Sequence, residues 1–298
     1  MPCCSKPVGR LPAWLKRPYH ASPVRENVRE LLQGLHLRTV CENARCPNLC
    51  ECWARGTATF LLLGAACTRS CRFCAVGHGT PLPPCGDEPD RVAAAVEQLH
   101  LRFVVVTSVT RDDLPDGGAQ HFATVIRAVR ARVPAAGIEV LTPDFRGDKA
   151  AVSVILGAEP DVFSHNLETC RRLTPQVRSE ADYERSLAVL AAAARSGAGS
   201  VLVKSGFMLG LGEDAAEVRT MLGDLREHGA ALLTIGQYLP PSPQHWPLAR
   251  YVTPEEFRRW QDTARREYGF LHVVSGPQVR SSYRAEEAHL SARRDGWG

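Results

Sequence analysis

From residue 59 onward, short apolar runs alternate with amphipathic stretches. Residues 59–63, 103–107, 138–141, 161–164, 200–203, 232–235 and 271–275 are rich in apolar and β-branched residues and predict strands. Residues 89–100, 119–132, 148–156, 182–196, 215–228 and 254–268 carry apolar positions at helical spacing. Thr253 stands where a helix cap is expected, with Pro254 at the first helical position. The strand runs are continuously apolar rather than alternating, as when both faces of a sheet are covered. Alternating strands and helices predict a parallel α/β sheet. Six such β/α units fit a partial barrel, whose chemistry belongs at the C-terminal ends of its strands. Polar segments after the predicted strands, 107–113, 166–168, 204–206 and 237–238, suit that place.

Upstream the pattern is different. Residues 24–33 have helical spacing and stop at Gly34. Residues 1–20 are rich in Pro, Arg and Lys and predict an irregular arm. Residues 39–56 are dense in cysteine and polar residues, include Pro47, and read as a metal-holding loop. The expected organisation is an N-terminal extension (1–56), a barrel (57–275) and a C-terminal segment (276–298).

Composition narrows the function. With 298 residues, 44% hydrophobic and 23% charged, the chain can bury a full core without staples. Its net charge of +4 is mild and its arginines are scattered, which argues against nucleic acid as a partner. Its apolar runs, such as 104–106 and 191–194, are too short to span a bilayer, so no membrane role is expected. The sequence does not open on the apolar run of a secretory signal. Eleven cysteines, an odd number in that setting, fit a reducing cytoplasm and metal or redox chemistry better than a disulfide framework.

Six of those cysteines make two sets at cluster-ligand spacing. The first follows the first predicted strand: Cys67-Thr-Arg-Ser-Cys71-Arg-Phe-Cys74, spaced C-x3-C-x2-C. Three thiolates on one short loop hold three irons of a [4Fe–4S] cube and leave the fourth open. An open iron can chelate the amino and carboxylate groups of S-adenosylmethionine (SAM), whose cleavage by one electron yields a 5′-deoxyadenosyl radical. Structural zinc usually takes four protein ligands and fits this spacing poorly. The spacing matches the radical SAM signature, and Phe73 stands where that superfamily has an aromatic residue.

The second group is Cys41-Glu-Asn-Ala-Arg-Cys46-Pro-Asn-Leu-Cys50-Glu-Cys52. Cys41, Cys46 and Cys52 give C-x4-C-x5-C and make a second cluster plausible, either for electron transfer or as a source of sulfide. Cys50 lies between them and reads as a small buried or loop thiol, with replacement of a ligand as its alternative.

With both cysteine groups and Arg280-Ser281-Ser282-Tyr283 near the C-terminus, the sequence resembles the lipoyl synthases over residues 39–285. Supporting segments include 107–118, 142–148, 165–169, 203–206, 210–213 and 235–238. Small departures are Cys170, where Val is usual, and Phe207, where an aliphatic residue is common. The resemblance implies a radical SAM partial (β/α)6 barrel whose terminal extensions carry an auxiliary cluster. It implies two [4Fe–4S] clusters, one binding SAM and one sacrificed as the sulfur source. Ser282 is carried over as the fourth ligand of the auxiliary cluster, with Ser281 the runner-up. Arg280, by its hydrogen-bond donors, is a candidate to steer that serine or its cluster, with a surface salt bridge as the alternative.

The implied reaction is sulfur insertion at carbons six and eight of an octanoyl chain amide-linked to a carrier protein's lysine. Implied partners are octanoylated lipoyl domains, the glycine-cleavage H protein, and a ferredoxin or flavodoxin. Asn166, Glu168 and Lys204, after predicted strands, are candidates for SAM's amino, carboxylate and ribose groups. Two rival readings are a tRNA methylthiotransferase-like enzyme, which would append an RNA-binding domain, and a non-catalytic zinc protein.

Overall fold

The computed structural model describes residues 10–16, 23–44, 46, 48–54, 59–197 and 200–294. Cys3, Cys4 and most of the expected arm lie outside the described residues. The strands expected from the sequence appear as β1 (Thr59–Leu62), β2 (Phe103–Ser108), β3 (Gly137–Leu141), β4 (Val162–Ser164), β5 (Leu202–Leu209), β6 (Leu232–Gln237) and β7 (His272–Gly276). They form one parallel sheet in the order β1 to β7. The crossover helices are α4 (Glu88–Gln98), α5 (Ala119–Arg132), α6 (Lys149–Leu156), α8 (Tyr183–Ser196), α9 (Ala215–Glu227) and α10 (Pro254–Arg266), with a short α7 (Thr174–Val177) before α8. Crossovers between parallel strands are right-handed, so a sheet built in sequence order carries all its helices on one face. The other face curls inward. The six β/α units thus make the partial barrel, and β7 adds a seventh strand at its edge.

Burial follows the pleat. Val104, Val106, Ile138 and Val140 are fully buried with Phe122, Ile126 and Val129 of α5. Helix starts are set by capping side chains. Asp148, Asp182, Asp214 and Thr253 each accept a backbone N–H from the first turn, so Asp148 and Asp182 precede their helices rather than belonging to them.

Two expectations shift. Residues 39–56 are not a plain loop: α2 (Val40–Asn43), capped by Thr39, and α3 (Leu49–Ala54) lie within them, and α3 packs on α1 (Pro23–Gly34). Strand β5 extends well past residue 203 because Lys204, Ser205 and Gly206, polar or small on paper, are buried strand positions.

A final helix, α11 (Ala285–Arg294), contacts both β2 and β7. Its Ala285 and Ala292 pack on Phe103, Val162, Leu202 and Leu232, residues at the N-terminal ends of four strands. Thus α11 closes the N-terminal mouth of the barrel. No helix among the described residues is long and apolar enough to cross a membrane.

Candidate active site

The loop after β1 carries Cys67, Cys71 and Cys74, and the barrel holds it at several points. Cys67 pairs with the chain beyond it, its N–H donating to Gly77 (2.8 Å) and its carbonyl accepting from Gly79 (3.0 Å). The Cys67 Sγ also accepts the backbone N–H of Thr110 at 3.3 Å. Arg72 N–H donates to Val177 O at 2.9 Å. Within the loop, the buried guanidinium of Arg69 bonds Asp112 (2.7 and 2.9 Å) and Asp144 (2.7 Å). Burial raises the Asp144 carboxyl, but the bond and charge of Arg69 outweigh it and hold the group at about 2. This ion network at the C-terminal ends of β2 and β3 anchors the cysteine loop.

The three thiols converge. Burial, with the neighbouring Cys71 and Cys67 adding to it, pushes Cys74 up to about 12. Burial likewise raises Cys71, opposed chiefly by the Arg178 guanidinium. Grouped, partly buried thiols, of which Cys71 and Cys74 resist ionising alone, are suited to an iron centre, whose positive charge stabilises thiolates together. Among the described residues, no three His, Cys, Asp or Glu side chains surround a single-ion position.

Beside Cys74 lies a cavity of about 370 Å³. Phe73, Cys74 and Ala75 form one wall, and Asn166, Glu168 and Gly206 another. Asn166 Nδ2 donates to Glu168 Oε1 at 3.0 Å, while its Oδ1 is buried without a hydrogen-bond partner. Glu168 has φ of +68°, left-handed for a residue with a side chain, at a cost of about 1–2 kcal/mol. Two bonds to β5 hold it there: its N–H donates to Gly206 O (3.0 Å) and its carbonyl accepts from Met208 N–H (2.9 Å). Burial raises its carboxyl and the Arg178 charge opposes the rise. A Cβ on Gly206 would stand 2.3 Å from Thr234 Oγ1 and 3.1 Å from Asn166 Oδ1, so the glycine keeps that wall open. An orphaned amide oxygen, a carboxylate on a left-handed backbone and an aromatic ring around an open space fit a polar ligand with a flat ring, such as SAM.

Lys204 is not part of this wall. Because β5 continues to Leu209, Lys204 lies near the strand's N-terminal end, fully buried, with Nζ 2.9 Å from both oxygens of Glu139. Its charge is satisfied inside the barrel, which corrects its assignment as a SAM contact.

The far side of the cavity is built from both ends of the chain. Ala44, between Cys41 and Cys46, lines it together with Val279, Arg280 and Ser281. Ser282 turns away and accepts from Thr59 Oγ1 at 2.9 Å. The Thr59 backbone also hydrogen-bonds the Cys41 thiol, whose pKa burial pushes up to about 11 despite that bond, with Cys46 adding to the rise. Two further bonds tie the segments: Asn48 Nδ2 to Gln278 O (2.7 Å) and Tyr283 OH to Glu51 Oε1 (2.9 Å). Arg280 Nη1 donates to Val279 O at 2.7 Å. Cys50 takes a long contact from Arg25 Nη1 (3.7 Å), while Cys85 is exposed and Cys170 buried away from both cysteine groups.

Sequence reasoning missed Arg178, whose Nη1 caps the Asn166 and Leu167 carbonyls at 3.3 and 3.0 Å. No spacing rule would have found it. It also missed the loop after β6, which reaches the cysteine loop through His245 and Trp246.

Residues 61–225 match the family model of the radical SAM superfamily. The chain is 54% identical to a lipoyl synthase of Rubrobacter xylanophilus, over 96% of this chain and 89% of that one. It is 50% identical to a lipoyl synthase of Thermus thermophilus, with the same coverage. In fold it is similar to the [FeFe]-hydrogenase maturase HydG from Carboxydothermus hydrogenoformans (TM-score 0.58, 11% identity, 90% of this chain and 69% of that one). It is likewise similar to methylornithine synthase (TM-score 0.51, 12% identity, 89% and 85%). The identities at this coverage leave one conclusion: the chain belongs to the radical SAM superfamily and, within it, to the lipoyl synthases.

Proposed function

We propose that this chain inserts two sulfur atoms at carbons six and eight of an octanoyl-lysine on a lipoyl carrier protein. In this reading Cys67, Cys71 and Cys74 hold a SAM-binding [4Fe–4S] cluster. Cys41, Cys46, Cys52 and Ser282 hold a second one. The observation that carries the reading is the single cavity of about 370 Å³, bounded by Cys74 on one side and by Ala44 and Ser281 on the other.

When bound, the first cluster with SAM supplies the one-electron chemistry that activates an unreactive C–H bond, and the second supplies sulfur. The chain's own residues bind, orient and shield. Asn166 Oδ1, unpaired and buried, accepts a hydrogen bond from a ligand N–H or O–H. Glu168 accepts from an ammonium or hydroxyl beside it. Phe73 offers a flat face next to Cys74. Met208, Leu239, Pro240, Pro241 and Val279 supply apolar lining, which excludes water from a reactive centre and accepts a hydrocarbon chain.

Ser282 is favoured over Ser281 as ligand by its bond to Thr59, the residue whose backbone touches Cys41. An alkoxide is a harder, more readily released ligand for iron than a thiolate, which suits a cluster that must be opened. Arg280 lies beside both serines and lines the cavity, where it steers the cluster's ligand. The carrier is an octanoylated lipoyl domain or H protein, the electron donor a ferredoxin or flavodoxin, and the compartment the cytoplasm. The units 1–56, 57–275 and 276–298 then divide the work, the outer two jointly forming the second site.

The test is anaerobic. Protein carrying about eight irons, on two cubes of four, is incubated with SAM, dithionite and an octanoyl-lysine peptide. Mass spectrometry is expected to show a gain of two sulfurs together with 5′-deoxyadenosine. Deoxyadenosine without sulfur gain would make it a different radical enzyme; a colourless zinc protein would overturn the proposal.

A further inference from the structure

The loop after β6 makes a clamp on the cysteine loop that the reading above does not use. Tyr238, buried at the end of β6, donates its hydroxyl to Trp246 O at 2.6 Å, and Trp246 Nε1 donates to Leu211 O at 2.9 Å. These two bonds fix the clamp to the barrel. From there it reaches out twice. Trp246 N–H donates to Arg72 O at 2.7 Å, and the Arg72 guanidinium lies 4.8 Å from the Trp246 ring centre. His245 Nε2 lies 3.1 Å from Cys74 O. A carbonyl only accepts, so Nε2 carries the hydrogen and donates it. The other ring nitrogen, Nδ1, is 2.8 Å from Ser242 Oγ, which sets the plane of the ring.

Arg72 and Cys74 therefore have their carbonyls held from the same side, with Phe73 between them facing the cavity. His245 and Trp246 do not line that cavity themselves. Whatever they do to a ligand there, they do through the Arg72–Phe73–Cys74 backbone. The same loop contributes Tyr238, Leu239, Pro240 and Pro241 to the cavity wall, so clamp and wall belong to one segment.

We propose that His245, supported by Ser242 and Trp246, is a positioning residue that sets the Cys74 backbone and Phe73 for SAM binding. The proposal rests on Cys67, Cys71 and Cys74 being the cluster ligands. A hydrogen bond from an imidazole N–H to a ligand cysteine's carbonyl restrains the peptide on which that thiolate hangs. Losing it leaves the thiolate present but its orientation spread over several conformers. The effect belongs to SAM affinity and to the sharpness of the cluster's signal, not to iron content.

The experiment uses the full chain, reconstituted anaerobically, with iron and sulfide analysis, equilibrium SAM binding and electron paramagnetic resonance of the reduced cluster with and without SAM. His245→Ala is expected to keep wild-type iron, to bind SAM roughly three- to tenfold more weakly, as for one lost hydrogen bond, and to broaden the SAM-bound signal. His245→Gln, whose amide N–H reaches as far as Nε2, restores both readouts; His245→Asn, one bond shorter, does not. Ser242→Ala, which leaves His245 in place, gives a smaller shift in the same direction and serves if His245→Ala fails to fold. Wild-type SAM affinity and signal in both His245→Ala and Ser242→Ala would overturn the clamp alone. So would equal behaviour of the Gln and Asn variants. A wild-type chain lacking any SAM-sensitive cluster signal would overturn the cysteine assignment and the clamp with it.

Discussion

The two cysteine groups are built in opposite ways. Cys67, Cys71 and Cys74 sit on one loop that the barrel holds from many sides: by Gly77 and Gly79, by Thr110, by Val177, by the Arg69 ion network and by the β6 loop. Removing any one of these leaves the others. Cys41 and Cys52 lie outside the barrel on the short helices α2 and α3, with Cys46 on the connection between them. Among the described residues, the ties between the N-terminal region and the C-terminal segment include Thr59 to Ser282, Asn48 to Gln278, Glu51 to Tyr283 and Gln278 to Leu15. Under the proposed function, the contrast suits a cofactor that stays in place on one side and one that is taken apart and replaced on the other. A site meant to be reopened is better served by a few separable tethers than by a rigid cage.

The largest expected effect separates the two groups by iron content. Changing Cys67, Cys71 and Cys74 together to Ala is expected to remove about four of about eight irons and all 5′-deoxyadenosine formation. Changing Cys41, Cys46 and Cys52 together removes a similar share but leaves SAM cleavage in place. Iron analysis with product chromatography reads both; equal loss of SAM cleavage in the two variants would erase the distinction. A smaller effect sharpens the choice between the serines. Ser282→Ala is expected to lower iron in the second group and to stop sulfur insertion, while Ser281→Ala leaves iron unchanged and alters only the cavity wall. The reverse pattern in the same assays would make Ser281 the ligand.

The smallest effect concerns acid, and it belongs to the barrel side alone. His165, fully buried after β4, donates Nδ1–H to Thr142 O at 2.8 Å and has no partner at Nε2. Burial, with the Arg178 charge, lowers its pKa to about 4. An unfolded histidine takes up its proton near 6.5, so between about pH 6.5 and 4 the unfolded chain binds more protons than the folded one. Stability therefore falls as pH drops through that window and levels off below it, by roughly 3 kcal/mol in all. The urea midpoint is expected to fall from pH 7 to pH 5 in the wild type and to fall less in His165→Gln. Equal slopes would assign the acid sensitivity elsewhere.

The barrel was legible because period and chemistry agreed along most of its length: apolar strand runs, amphipathic helices and, at Thr253, a capping residue at a helix start. The cysteine spacings were legible because a cluster loop is a local feature of sequence. Two things were not. Strand β5 was cut short on paper because a lysine, a serine and a glycine in a row look like a loop. Only the fold brings Glu139 from β3 to satisfy Lys204, and that partner turned a supposed ligand contact into an internal ion pair. The clamp was likewise invisible, since His245 and Cys74 are separated by 171 positions and no periodicity links them. Asn166 and Glu168, which follow β4, and Phe73, within the cysteine motif, all line the cavity.

The bond from Asn48 to Gln278 spans 230 positions, and that distance has a consequence for how the molecule is made. Protein emerges from the ribosome N-terminus first. The loop that bears Cys67–Cys74 can be cradled by most of its supports while the barrel is still growing. The segment around Cys41 can pair with β1 early, through Arg38 and Thr39, but its ties to residues 278–283 form only after the whole barrel has been translated. Any scaffold that delivers a second cluster would therefore meet a finished chain, and premature termination within the barrel would leave those early cysteines unhoused and open to oxidation.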